Sequence, residues 1–263
     1  MQRLSMSLAL GVLVAGCARG VVPVVPDEEQ GLEEAAQEAI AVGSAEFARF
    51  DETGWDEDAC EALDAHYARV QLPSRRSASG HSIGPNPQRE RQLRARAAYM
   101  RGLVAGRCGD SERARVHYRA ALELDRRFCA PWVALAAQQE AEGQPGQARA
   151  LLTTAVREAP RCVEGYVALA QVQRLHFGER EAAAANLRRA LAMKADDARR
   201  LVELAEVFWD WGQSEPERLA LAAVICRQAQ LVDRAYAPLY DTWARVDVAL
   251  GDLTGARAKL AAA

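Results

Sequence analysis

The feature that most constrains this chain is a pattern that returns about every 34 residues from position 95 onward. Its clearest copy lies within residues 129–162 and reads Trp132, Leu135, Ala136, Gly143, Ala148, Leu152, Ala155 and Pro160. One unit earlier, residues 95–128 carry Ala98, Gly102, Gly109, Ala114, Tyr118 and Ala121, with Arg126 where the proline would fall. One unit later, residues 163–197 carry Tyr166, Leu169, Ala170, Gly178, Leu187 and Ala190, and need one extra residue at their turn. Residues 198–236 start in register with Leu201, Leu204, Ala205, Phe208 and Gly212. An inserted polar turn, Gln213-Ser-Glu-Pro-Glu217, follows before Ala222, Cys226 and Ala229 resume the pattern. Residues 237–263 give Tyr240, Trp243, Ala244, Gly251, Ala256 and Leu260. Apolar residues spaced three or four apart make a helical stripe, and a glycine between two stripes marks a turn. Small residues (Gly102, Ala136, Ala170, Ala205, Ala244) let two helices approach closely, while larger neighbours fill the groove to the next pair. One such hairpin cannot bury its apolar face alone, so the hairpins must stack.

These residues and their spacing resemble the tetratricopeptide repeat, a helix–turn–helix family. The resemblance implies an all-α solenoid whose first helices line a concave groove that binds a peptide or a partner's amphipathic helix. Carried over position by position, the groove face is Arg96, Tyr99, Leu103, Val133, Ala137, Glu164, Val167, Gln171, Arg199, Val202, Glu206 and Trp209. This mixture of apolar and charged side chains suits an amphipathic segment better than a strongly charged tail. Chaperone-binding members of the family clamp a terminal carboxylate with a lysine and asparagines. Here Tyr99, Val133 and Val167 stand at the lysine position, and Leu103, Ala137 and Gln171 at the asparagine position. A chaperone-tail adaptor is therefore not expected.

Ahead of the repeats the chain has a different character. Arg3 is followed by an apolar run from Leu4 to Val14, about 11 residues and too short to span a bilayer. Leu13-Val14-Ala15-Gly16-Cys17 then resembles the lipobox of exported bacterial lipoproteins. That resemblance implies cleavage after residue 16 and a diacylglycerol on Cys17. Ala18 and Arg19 follow with no aspartate, which resembles an outer-membrane address in enteric lipoproteins. Residues 17–31 contain two prolines and read as an extended tether. Residues 32–72 read as a helical pair. Gly43 weakens the middle of the first helix, and Asp56-Glu57-Asp58 opens a second with Cys60, Leu63, Tyr67 and Val70 as its apolar stripe. Residues 73–94 begin rich in glycine, proline and serine and read as a linker before the array at 95–263.

Chemistry-bearing constellations are sparse. His66, His81, His117 and His176 show no metal-ligand spacing, and no zinc, phosphate-loop, dinucleotide or serine-hydrolase motif is present. No enzyme activity, cofactor, metal or small-molecule substrate is expected. A net charge of −3 gives no electrostatic basis for nucleic-acid binding. Export permits disulfides, and five cysteines follow Cys17. A Cys60–Cys108 bridge would tie the N-terminal helices to the first repeat. Cys129 and Cys162 can pair only if one of them lies on a favourable loop. A buried free thiol is the alternative for each of the five.

The expected function is thus a lipid-anchored scaffold in the bacterial envelope, facing the periplasm from the outer membrane and binding a protein partner. Its functional resemblance is to tetratricopeptide lipoproteins that help outer-membrane machines assemble, including pilotins of type IV pilus secretins. Regulation of a cell-wall enzyme, catalysis within residues 32–90 and self-association near Trp243 and Leu260 are the competing readings.

Overall fold

The computed structural model describes residues 28–70, 75–76, 82–83 and 87–262. The signal segment 1–16, Cys17, most of the tether, and much of the linker with His81 lie outside the described residues. Two helices precede the array, α1 (Glu28–Thr53) and α2 (Glu57–Ala68). Five hairpins follow. They are α3 (Pro87–Arg107) with α4 (Ser111–Leu124), α5 (Cys129–Ala141) with α6 (Pro145–Glu158), and α7 (Val163–Val172) with α8 (Arg180–Met193). Then come α9 (Ala198–Gly212) with α10 (Glu217–Val232), and α11 (Ala237–Leu250) with α12 (Leu253–Leu260). Between α2 and α3, β1 (Arg75–Arg76) pairs antiparallel with β2 (Ser82–Ile83). Each hairpin packs chiefly on the next, as expected of a solenoid.

Local chemistry sets these boundaries. Asp56, Asp110, Asp197 and Asp252 each accept a hydrogen bond from the backbone N–H three residues on, at 2.7, 2.9, 3.2 and 2.8 Å. Gly143 and Gly251 end α5 and α11 with φ of +72° and +84°, a left-handed turn that a side chain would strain. Trp132 Nε1 and Tyr240 Oη, at equivalent positions of two repeats, donate to the carbonyls of Arg126 and Arg234 and close the turns between units. Ala114, Ala121, Ala148, Ala155, Ala183, Ala190, Ala222 and Ala229 line the second helices, each 0 % exposed. The extra residue of the third unit is accommodated as a π-turn, Gln173–Phe177, closed by a bond from the Gly178 N–H to the Gln173 carbonyl. In the fourth unit α9 runs through Gly212, and the turn is made by the inserted residues instead.

Two boundaries differ from the sequence expectation. The tether gives way to helix at Glu28 rather than at 32. The linker gives way at Pro87 rather than at 95, because proline at a first helical position starts a helix instead of breaking one. The added turns bring Leu93, 1 % exposed, against Ala36, Val70 and Ala97. α1 runs unbroken through Gly43. A Cβ there would lie 2.7 Å from the Tyr67 ring, so glycine lets α2 approach. Gly102 receives Tyr118 of α4 in the same way, so the N-terminal pair and the first hairpin each close on a glycine–tyrosine contact.

Cys60 and Cys108 are joined across α2 and α3, with Cα atoms 6.2 Å apart. Cys129, the first residue of α5, is joined to Cys162, which caps α7 from the inter-repeat turn, with Cα atoms 5.6 Å apart. Cys226 is free and buried, and burial pushes its thiol up to about 12.

Candidate functional site

The expected groove residues fall into two regions of unlike character. At the N-terminal end is a cleft of about 620 Å³ walled by Gln37, Glu38, Ile40, Ala41 and Ser44 of α1 and by Arg96, Tyr99 and Met100 of α3, with Phe128 beside them. The Tyr99 ring lies tilted at 5.7 Å from the Tyr118 ring and edge-to-face at 5.3 Å from Phe128, and burial raises its phenol above the ordinary value. Neither the Arg96 guanidinium nor the Tyr99 hydroxyl has a hydrogen-bond or ion-pair partner among the described residues. Leu103 packs beneath, against the Tyr118–Trp132 cluster, and Ala137 is exposed.

The cleft exists because the N-terminal pair is held on the first repeat. Asp64 of α2 accepts from Arg101 Nε and Nη2 at 2.8 and 3.1 Å and from Arg113 Nη2 at 2.6 Å. Arg107 reaches Asp51 at 3.1 Å. Burial pushes the Asp64 carboxyl upward, but the Arg101 hydrogen bond and the charges of Arg101 and Arg113 outweigh it and hold the group below its usual value. His66 Nε2 lies 2.7 Å from the Ala39 carbonyl and adds a link between α1 and α2.

Further along, Val133, Glu164, Val167, Gln171 and Arg199 line a smaller hollow of about 250 Å³ with Asp197, Arg200 and Glu203. Its polar groups are largely committed to one another. Gln171 Nε2 and Arg199 Nε both donate to Glu203 Oε1, at 3.2 and 3.3 Å, and Arg200 pairs with Asp197 at 2.8 Å. Burial nonetheless raises the Glu203 carboxyl. Beyond it, Glu206 sits between Arg174 at 3.0 Å and Arg245 at 3.1 Å, and the Thr242 hydroxyl donates to it at 3.4 Å. Arg174 also reaches Asp210 at 2.7 Å. The Arg245 guanidinium lies 4.9 Å from the centroid of the half-buried Trp209 ring, a cation–π contact.

One expected groove residue is not available. Val202 is 4 % exposed and belongs to the core, because α9 is packed on both flanks and buries Leu201, Leu204, Val207 and Phe208 as well. Sequence reasoning missed Arg174, Asp210, Thr242, Arg245 and the α1 wall. Arg245 was findable, since it holds in the fifth unit the register that Gln171 and Glu206 hold in the third and fourth. The α1 wall carried no repeat signal. Among the described residues, no group of three or more His, Cys, Asp or Glu is placed to hold a metal ion, and no helix is long and apolar enough to cross a membrane.

Comparison with known proteins agrees with this architecture. A family model described as tetratricopeptide repeat matches residues 95–128. No curated protein matches. Among solved structures, PilF of Pseudomonas aeruginosa is similar with a TM-score of 0.61 and 15 % identity, over 87 % of this chain and 90 % of that one. PilW, described as a widely conserved type IV pilus biogenesis factor, gives 0.59 and 14 % over 86 % and 91 %. YrrB, described as a tetratricopeptide protein with an unusual peptide-binding site, gives 0.50 and 16 % over 63 % and 82 %.

Proposed function

We propose that this chain, an all-α solenoid carrying a tetratricopeptide repeat, is a lipid-anchored scaffold that holds a protein partner at the periplasmic face of the bacterial outer membrane. The observation that carries the reading is the open cleft on stacked hairpins, an arrangement that binds chains rather than transforming small molecules. The Leu13–Cys17 segment would supply the anchor, each buried acyl CH₂ contributing about 0.8 kcal/mol. The Cys60–Cys108 and Cys129–Cys162 bridges support an oxidising compartment. An anchor also raises the local concentration of the groove near a membrane-bound partner without any new contact.

A narrower reading is a pilotin-like factor for a type IV pilus secretin. It is favoured by the likeness to PilW, which extends over 86 % of the chain and so takes in the N-terminal pair as well as the repeats. Affinity purification of the tagged protein from detergent-solubilised envelope tests the general reading. One envelope protein recovered in fixed proportion is expected. Recovery of none, with envelope complexes unchanged on deletion, contradicts it. The narrower reading requires that deletion leave secretin monomers unassembled.

A further inference from the structure

We infer that partner recognition is concentrated in the α1–α3 cleft, which takes a peptide segment bearing a bulky apolar side chain between a carboxylate and a cation. This rests on the scaffold reading. The cleft is within the size range of ligand pockets, roughly 300–1,000 Å³, at about 620 Å³. Ile40, Met100 and Phe128 give it an apolar lining suited to one large side chain. Arg96 on α3 and Glu38 on α1 present opposite charges from opposite walls, and neither has a partner among the described residues. The unpaired Arg96 guanidinium is a donor for a carboxylate, and Glu38 complements a cation.

The rest of the concave face argues the other way. There Glu203, Glu206, Asp210, Arg174, Arg199 and Arg245 are already paired with one another, and only single atoms such as Glu203 Oε2 and Arg245 Nε are buried without a hydrogen bond. A ligand binding there would have to break paired charges, whereas one entering the cleft meets unpaired ones. Recognition of this kind also assigns a role to the N-terminal pair. It supplies one wall of the site as well as covering the end of the array.

The test is panning of the purified full-length protein against phage-displayed random 12-residue peptides, followed by binding of synthetic versions of the selected sequences. The expected peptides share a large apolar residue within four positions of an acidic one. Arg96→Glu is expected to weaken binding about tenfold or more, the scale of a charge-assisted hydrogen bond, and Ala41→Glu, at an exposed lining position, to weaken it by obstructing the cleft. A peptide with lysine in place of its acidic residue should recover affinity for Arg96→Glu, with circular dichroism showing an unchanged fold. Peptides with free and amidated C-termini distinguish a terminal carboxylate from a side-chain one. Selected peptides indifferent to both variants, or no enrichment, overturn the cleft assignment. Peptides that bind elsewhere leave the scaffold reading standing, which only the absence of any partner contradicts.

Discussion

Replacing Cys60 and Cys108 together by serine should release the N-terminal pair from the first repeat without unfolding the array. The bridge spans a sequence separation of 48 residues. Loop-closure entropy for a loop of that size corresponds to about 4 kcal/mol at 25 °C. The other contacts at this junction survive the change. They are the Asp64 pairs with Arg101 and Arg113, the Asp51–Arg107 pair, and Leu93 in its apolar pocket. The double variant should therefore still dock, but open far more often. Because solenoid units couple mainly to their neighbours, the loss should stay at one end. Hydrogen exchange followed by mass spectrometry reads this directly. Amides in α1 and α2 should exchange up to about a thousandfold faster, the equivalent of 4 kcal/mol. Amides in α9–α12 should keep their wild-type rates. The same variant should also lower the urea midpoint of the first unfolding transition. Unchanged exchange in α1 and α2, or peptides with free Cys60 thiol in the non-reduced wild type, would refute the reasoning.

Three further outcomes follow from named contacts. Asp64→Asn should cost about 1.5–3 kcal/mol near neutral pH, the range for hydrogen bonds to charged groups. The Asp64 carboxyl is held below its usual value in the folded state, so its contribution is complete above that usual value and is lost as pH falls through the folded-state one. Urea unfolding of wild type and variant should thus converge at acid pH, and a gap independent of pH would contradict the assignment. Gly143→Ala should destabilise by about 1–2 kcal/mol because its backbone is left-handed. Gly146→Ala, helical and with open space around it, should raise the melting temperature instead; equal effects at both sites would undo the turn argument. Cys17→Ser should leave the circular dichroism spectrum unchanged and release the protein from sedimented membranes, and retention in the pellet would rule out lipidation as the anchor.

The repeat was legible because its signals are local. Gly143 and Gly178 punctuate hairpins whose alanines must be small wherever helices touch, so period and residue size read out the stack without knowledge of the fold. What escaped was non-local. Pro87 looks like linker until α3 is seen to need extra turns to carry Leu93 under the N-terminal pair. Val202 matches the groove register, yet α9 is covered from both sides, and burial depends on neighbours far along the chain. Arg174 lies on a π-turn, where an inserted residue carries it out of the regular register and toward Glu206. The α1 wall of the cleft is built by a hairpin that lies outside the 34-residue spacing. Gly43 with Tyr67 repeats the contact of Gly102 with Tyr118, a likeness visible only once the rings are in place.

The central claim is that a protein partner is held in this groove at a membrane. A photo-crosslinking residue at position 41, which lines the cleft and is exposed, tests it in living cells. Irradiation is expected to give one discrete adduct with an envelope protein, diminished when Cys17 is replaced by serine. No adduct from position 41 above the level of an unirradiated control would contradict the account.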